Sequence, residues 1–372
     1  MTSLYDRLAD LPLDIEGFDF ETHEMDTSAG FTRTTTVVAL HGPGETGRGE
    51  DVTYETDDHE VLWAARDAGD LDWDLAGSYT LDSFSTHLDS VDLFPEPPTQ
   101  ETFRHYRRWA LESAALDLAL RQADTDFASA LGREYDPVRF VASTRLDTAD
   151  GGDSGDGDAE AERTAPSTDR IHQWLAIDPD LAFKLDPTSE WDRAFCEELA
   201  ETGAVRILDF KNYYEGTDVD SDPDPDLYRR VAETFPDAIL EDTKLTDETR
   251  DALAGTEDRL SWDYPITGVD SVEALPIEPQ YLNVKPSRFG TVESLLDTVE
   301  YCLDREITLY GGGQYELDVG REHLHAVASA FYPDSPNDVA PRAYNVPEPH
   351  ADVPPSPLAP PTDPTGLSWD EE

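Results

Sequence analysis

Lys184, Lys211, Lys244 and Lys285 are the only lysines in 372 residues, and each stands at or just after a short β-like run. The formal net charge is −55, and all other members of the 27 basic residues are arginine. Lysine has been removed wherever it only decorated a surface, so the positions that keep an ammonium are the first candidates for chemistry. Their surroundings repeat as apolar runs that end in charge: Leu181 to Lys184 and Asp186, Val205 to Asp209 and Lys211, Ala238 to Glu241, Leu260 to Asp263, and Tyr281 to Lys285. A lysine acts as a base only when neutral, a state favoured by burial and by a nearby cation. Structural ion pairing with the neighbouring carboxylates is the plain alternative.

The elements that must position these residues follow from their spacing. Lys184, Asp209, Glu241, Asp263 and Lys285 are 25, 32, 22 and 22 residues apart, close to the roughly 30 residues per βα unit of an eight-unit barrel. Between them, residues 190–202 carry Trp191, Ala194, Phe195, Leu199 and Ala200 at helical spacing and end at Gly203. Residues 291–305 place Val292, Leu295, Leu296, Val299 and Leu303 on one stripe. Such alternation predicts parallel strands covered by helices, with strand ends and following loops forming the active face.

Upstream, strands are expected over 15–21, 32–40 and 51–55, the last two joined by a glycine-rich turn over 41–49. That turn is not a phosphate loop: Arg48-Gly49 stands where Lys-Ser/Thr would follow. A long amphipathic helix is expected over 101–131 and a first barrel strand over 138–143. Residues 147–169 are rich in Gly, Asp, Glu and Ser, and residues 346–372 in proline and acid. The first is expected to be a disordered insertion and the second a disordered tail. The predicted organisation is an N-terminal α+β capping domain (1–135), a (β/α) TIM-like barrel (136–345) and the tail.

The balance of 82 acidic to 27 basic residues argues against nucleic acid and anionic membranes as partners, since phosphate is bound by Lys and Arg that neutralise it. The acidity reads as a solvated, halophilic surface, tolerable where molar salt shortens the Debye length to ~3 Å. The N-terminus lacks a basic and apolar leader and no run of about 18 apolar residues occurs, so a cytoplasmic location is expected. Cys196 and Cys302 fall on apolar helix faces and read as core residues. Self-association into a homo-oligomer stays open.

Taken together, the pattern resembles the enolase superfamily, in particular its muconate-lactonizing and o-succinylbenzoate synthase-like subgroup, over residues 15–345. The matching text is the Gly-x-Gly-Glu50 hairpin, the helix around Glu112 to Asp117, and an Asp, Glu, Asp order on three consecutive strands. The resemblance implies Asp209, Glu241 and Asp263 as ligands of Mg²⁺, Lys184 and Lys285 as the strand-two and strand-six lysines, and Glu316 to Gly320 as the late Glu-x-x-x-Gly element. Oxygen-only ligation suits Mg²⁺. In such sites a lysine removes the proton next to a carboxylate and the metal stabilises the enediolate.

Three positions depart from the family pattern. Asp186 stands where the second strand-two lysine is usual, Lys211 follows Asp209 where asparagine is usual, and Tyr264 follows Asp263. Lys285 is therefore expected to work with Lys184 or Lys211, and Lys184 is preferred because it keeps the strand-two origin. Asp186, Asn212, Arg288, Gly312, Gly313 and Glu316 are the expected substrate-binding residues, with the glycine N–H groups suited to an anion. Arg321 is a further candidate anion clamp. The expected activity is Mg²⁺-dependent proton abstraction from a small-molecule carboxylate, by a lyase, cycloisomerase or epimerase. Two alternatives stand beside it: a non-catalytic enolase-fold protein that binds metal and ligand, and a Schiff-base barrel enzyme.

Overall fold

The computed structural model describes residues 2–146, 165–214 and 221–369. Its N-terminal part contains β1 (Pro12–Ile15), β2 (Gly17–Asp26), β3 (Thr32–His41), β4 (Thr46–Asp51) and β5 (Gly77–Thr80). β2, β3 and β4 form an antiparallel sheet in that order, while β1 pairs with β5. The helices α1 (Thr56–Ala68), α2 (Leu81–Leu88) and α3 (Phe103–Gln122) complete this part. Among the described residues, no helix is long and apolar enough to cross a membrane.

The glycine cluster does more than turn the chain. Only residues 42–45 form the turn, closed by the Gly42 N–H donating to Glu45 O at 2.9 Å. Gly47 and Gly49 lie inside β4, which runs five residues earlier than the expected 51–55 strand. A Cβ on Gly49 would sit 2.0 Å from Ala110 O, and one on Gly47 2.2 Å from Ala114 O. The two glycines let α3 lie directly on the strand. The long helix expected over 101–131 breaks after Gln122, where Asp124 takes a left-handed φ of 52° and Asp126 caps the short helix Phe127–Ala130.

Seven parallel strands follow in sequence order: β6 (Val141–Thr144), β7 (Ala182–Leu185), β8 (Val205–Asp209), β9 (Ile239–Glu241), β10 (Leu260–Trp262), β11 (Tyr281–Val284) and β12 (Thr308–Gly311). Inside the curl, Val141, Ile207, Ile239 and Tyr310 form a small apolar cluster separate from the main core. Because side chains alternate along a strand, the residues two further along from Ile207 and Ile239 face the same interior. Those residues are Asp209 and Glu241.

No eighth strand is present among the described residues, but residues 337–338 bridge the two edges of the sheet. Phe140 and Asn337 form one parallel bridge, Gly312 and Asp338 the other. Val141 N donates to Asn337 O and Asp338 N to Gly311 O, both at 2.8 Å. The fully buried Asn337 side chain accepts from Gly311 N at 2.7 Å and donates to the carbonyls of Arg139, Tyr332 and Ser335. The architecture is thus α/β: a parallel barrel-like sheet with a capping domain.

The capping domain and barrel are pinned where the site forms. The buried Glu50 carboxylate at the end of β4 accepts from the N–H groups of Leu317 (2.6 Å), Asp318 (3.0 Å) and Gly320 (2.9 Å). These lie at the start of the helix Val319–Phe331, whose unpaired N–H groups attract a carboxylate.

Two sequence expectations concern segments outside the elements. The 147–169 insertion lies outside the described residues as far as residue 164. The expected disordered tail, by contrast, is corrected: residues 346–369 pack against the body, with Leu358, Leu367 and Trp369 buried. Leu358 pairs with Val138 in an antiparallel bridge, and Gly366 exchanges backbone hydrogen bonds with Thr125 and Phe127. Leu367 N donates to the Asp117 carboxylate at 2.8 Å. Three apolar side chains among the prolines are enough to seat the segment, and composition averaged over 27 residues hides them.

His323 and His325 lie on the helix Val319–Phe331, and burial pushes both down to about 3. In the unfolded chain each takes up a proton near pH 6.5, so as pH falls the unfolded state binds more protons and the fold loses stability. The loss is expected to begin near pH 6.5 and to reach about 2 kcal/mol per histidine by pH 5. A His323→Gln/His325→Gln variant should therefore show a smaller shift of its urea midpoint between pH 7 and pH 5 than the native chain. An equal shift would show that neither histidine is held neutral.

Candidate metal centre and active site

Asp209, Glu241 and Asp263 stand at the ends of β8 and β9 and directly after β10, fully buried, with one carboxylate oxygen of each lying within 4.8 Å of the others. Lys184 on β7 reaches under them. Its ammonium lies 3.0 Å from Asp209 Oδ2 and 3.3 Å from Asp338 Oδ2, and also bonds Glu241 Oε1. Burial alone would lower the Lys184 pKa, but these carboxylates raise it well above the ordinary value. The same attraction, from Lys184 and Lys211, outweighs burial at Asp209 and holds its carboxyl well below the usual range. At Glu241 burial wins, aided by Asp209 and Asp263, and the pKa is raised well above normal.

Lys211 and Lys285 flank the carboxylates from opposite ends. Lys211 bonds Asp209 Oδ2 and lies 3.7 Å from Asp186 Oδ1. Its backbone is left-handed, φ 57°, a conformation that a non-glycine residue holds only when its surroundings enforce it. Lys285 lies 2.7 Å from Asp263 Oδ2, while Arg288 Nε is 3.1 Å from Asp263 Oδ1. Arg288, Lys285 and Lys184 together overcome burial and depress the Asp263 pKa. Tyr214 donates to Asp263 Oδ2 at 3.1 Å and accepts from Arg288 at 3.1 Å.

A cavity of about 490 Å³ opens above this floor, and Asp186, Lys211, Lys285, Arg288, Gly313, Arg321 and Asp338 are on its wall. Lys184 is not. Its side chain is 1 % exposed and lies within bonding reach of three carboxylates, so burial reverses the sequence preference for Lys184 over Lys211 as a group that meets a ligand.

Three expected substrate contacts are corrected by their neighbours. Asn212 donates to Ser221 at 2.7 and 2.9 Å and accepts from Tyr228, away from the cavity. Glu316 accepts from Gln314 N at 2.6 Å and pairs with Arg321 at 3.1 Å. Gly312 donates its N–H to Val284 O at 3.0 Å and cannot offer it to an anion. The reason for glycine there is close approach: a Cβ would lie 2.8 Å from Lys285 Cε.

The sequence reading missed four groups. Asn283 Nδ2 donates to Glu241 Oε2 at 3.1 Å, and Tyr310 donates to the same oxygen. Asp242, adjacent to Glu241, accepts from Asp263 N at 2.8 Å and from Tyr264 N at 3.1 Å. Burial and the charges of Asp263 and Asp209 push the Asp242 carboxyl up to about 7. Asp338 is brought in by the bridging segment 337–338. Asn283 and Tyr310 were legible as inward positions of their runs; Asp338 sits in a stretch with no strand pattern.

The residues present fit a hard divalent cation. The donor set is all oxygen, three carboxylates converge, and Asp263 Oδ1, buried and 3.1 Å from Arg288 Nε, accepts no hydrogen bond. Lys184 bonds Asp209 Oδ2 and Glu241 Oε1, and Asn283 and Tyr310 bond Glu241 Oε2, contacts that orient the carboxylates as outer partners of metal ligands do.

This is the fold of the enolase superfamily. The chain is similar to a member of the enolase superfamily from Listeria innocua (TM-score 0.64, 16 % identity, 89 % of this chain and 86 % of that one). It is similar also to a dipeptide epimerase from Methylococcus capsulatus complexed with Mg ion (TM-score 0.62, 16 % identity, 87 % and 89 %). A third likeness is to muconate lactonizing enzyme from Pseudomonas putida (TM-score 0.60, 20 % identity, 88 % and 88 %). The chain itself belongs to the family described as "Domain of unknown function (DUF8230)": its N-terminal domain model matches residues 6–130 and its C-terminal domain model residues 134–346. None of the curated proteins matches the chain in sequence.

Proposed function

We propose that this protein is a Mg²⁺-dependent enzyme that abstracts the proton α to a carboxylate and then eliminates, cycloisomerises or epimerises the product of that step. The observation that carries this reading is the convergence of Asp209, Glu241 and Asp263 within 4.8 Å, flanked by Lys211 at one end and Lys285 at the other. The ion would be held by the three carboxylates and would supply Lewis-acid stabilisation of the charge that develops on the substrate carboxylate. Lys285 and Lys211 reach the cavity from either side and are the acid–base pair. Lys184 keeps Asp209 and Glu241 in place as a positioning residue. Arg288, beside Asp263, orients a substrate oxygen, and Asp186 holds Lys211 toward the cavity.

The second reading, a metal- and ligand-binding protein without catalysis, is favoured by Asp186, a carboxylate where the family's strand-two base is usual. One experiment separates the two: exchange of α-protons in D₂O with Mg²⁺ across a set of carboxylates, in molar KCl. Exchange is expected in the native chain and expected to fall at least about 1000-fold in Lys285→Met and Lys211→Met. Lys184→Met should lose Mg²⁺ affinity as well as exchange. Tight, metal-dependent binding of carboxylates without any exchange would favour the binder.

A further inference from the structure

Phe31 and Tyr54 are each 37 % exposed, and Leu303 is the one other large hydrophobic side chain so exposed among the described residues. Both are on the cavity wall, at its capping-domain side. Their ring centroids are 6.5 Å apart, and Phe31 meets Tyr315 of the barrel edge-on at 5.6 Å. The arrangement is preformed. Ser28 N donates to Asn345 O at 2.7 Å and Thr27 Oγ1 to Phe31 O at 2.8 Å, fixing the hairpin that carries Phe31. Tyr54 donates to Gln314 Oε1 at 3.1 Å, and Tyr315 is held at a left-handed φ of 56°.

Aromatic rings left facing a cavity mark a flat apolar occupant or a cation. A cation is disfavoured here, because the Arg33 guanidinium already lies 4.4 Å from the Tyr54 centroid and would oppose a second positive charge on the other face. Below the rings, Lys285 and Arg288 line the same cavity and would meet the anionic end of an occupant. A cavity of about 490 Å³ is of the size that takes a drug-sized ligand, more than a small carboxylate needs.

We infer that the substrate is a carboxylate that carries an aryl or equally flat unsaturated ring, with the ring held by Phe31, Tyr54 and Tyr315 at the mouth of the cavity. This rests on the proposed function, which supplies the metal and the lysines at the carboxylate end. The ring contacts would set how far the carboxylate reaches into the cavity and thereby orient the α-carbon between the two lysines. Two such ring contacts are expected to give a preference of about ten-fold over a saturated ring.

The test uses the full chain with Mg²⁺ in molar KCl and three alkanoates of one chain length, ending in phenyl, cyclohexyl or trimethylammonium, titrated calorimetrically. The phenyl compound is expected to bind at least about ten-fold tighter than the cyclohexyl one. That ratio should collapse toward one in Phe31→Leu and Tyr54→Leu, with Mg²⁺ affinity unchanged. Equal binding of phenyl and cyclohexyl compounds, or tighter binding of the trimethylammonium compound, overturns the inference and leaves the proposed function standing. Absence of Mg²⁺-dependent binding by all three overturns both.

Discussion

Mg²⁺ affinity is expected to fall at least about 100-fold in each of Asp209→Asn, Glu241→Gln and Asp263→Asn, since each removes one of three converging carboxylate ligands. The variants should also lose stability, because each carboxylate is paired with buried cations: Asp209 with Lys184 and Lys211, Glu241 with Lys184, Asp263 with Lys285 and Arg288. Breaking one side of a buried pair costs roughly 3–5 kcal/mol. The two effects are separable. Asp209→Asn with Lys184→Met removes charge of both signs, so it should regain part of the lost stability and none of the metal affinity. Calorimetric titration with Mg²⁺ in molar KCl, alongside urea unfolding, gives both quantities. Unchanged affinity in all three single variants would sink the metal assignment and the proposed activity with it.

Ending the chain after Asn345 is expected to unfold it or bring it close to unfolding. The cut removes buried Leu358, Leu367 and Trp369, worth about 1.5–3 kcal/mol each for apolar burial. It also strips Val138 of its backbone partner Leu358, and Thr125 and Phe127 of theirs in Gly366. A total of about 4.5–9 kcal/mol is comparable with the whole stability of a typical domain, about 5–15 kcal/mol. Leu358→Ala and Leu367→Ala, which keep the backbone, should cost about 2–5 kcal/mol each. Thermal unfolding in molar salt measures all three variants, and a truncated chain with an unchanged midpoint would show that the segment contributes nothing.

Much of the barrel was legible because its signals are local. Apolar runs ending in charge at βα spacing predict parallel strands, and a period of two puts Asp209 and Glu241 on one face whatever the rest of the chain does. The three carboxylates and the lysines are therefore visible in the sequence. Lys211 was visible too, as an ammonium two residues beyond Asp209, but not its rank over Lys184. That rank depends on which ammonium the cavity reaches, and burial of Lys184 among Asp209, Glu241 and Asp338 arises from three segments distant in the chain.

What only the tertiary structure decided is of that kind. Asp338 enters the site because residues 337–338 bridge the edges of the sheet at Phe140 and Gly312, and a two-residue bridge has no periodicity to read. Asn212 leaves the site because Ser221 and Tyr228 take its hydrogen bonds, partners that fold back from beyond the strand. Gly47 and Gly49 read as turn residues until α3 lies against them and forbids a Cβ. The closing segment read as a tail because its apolar residues are sparse, and sparse side chains bury only against a surface built elsewhere. The sequence alone determined which residues point inward and what chemistry they carry; close packing between distant segments decided which of them meet a ligand.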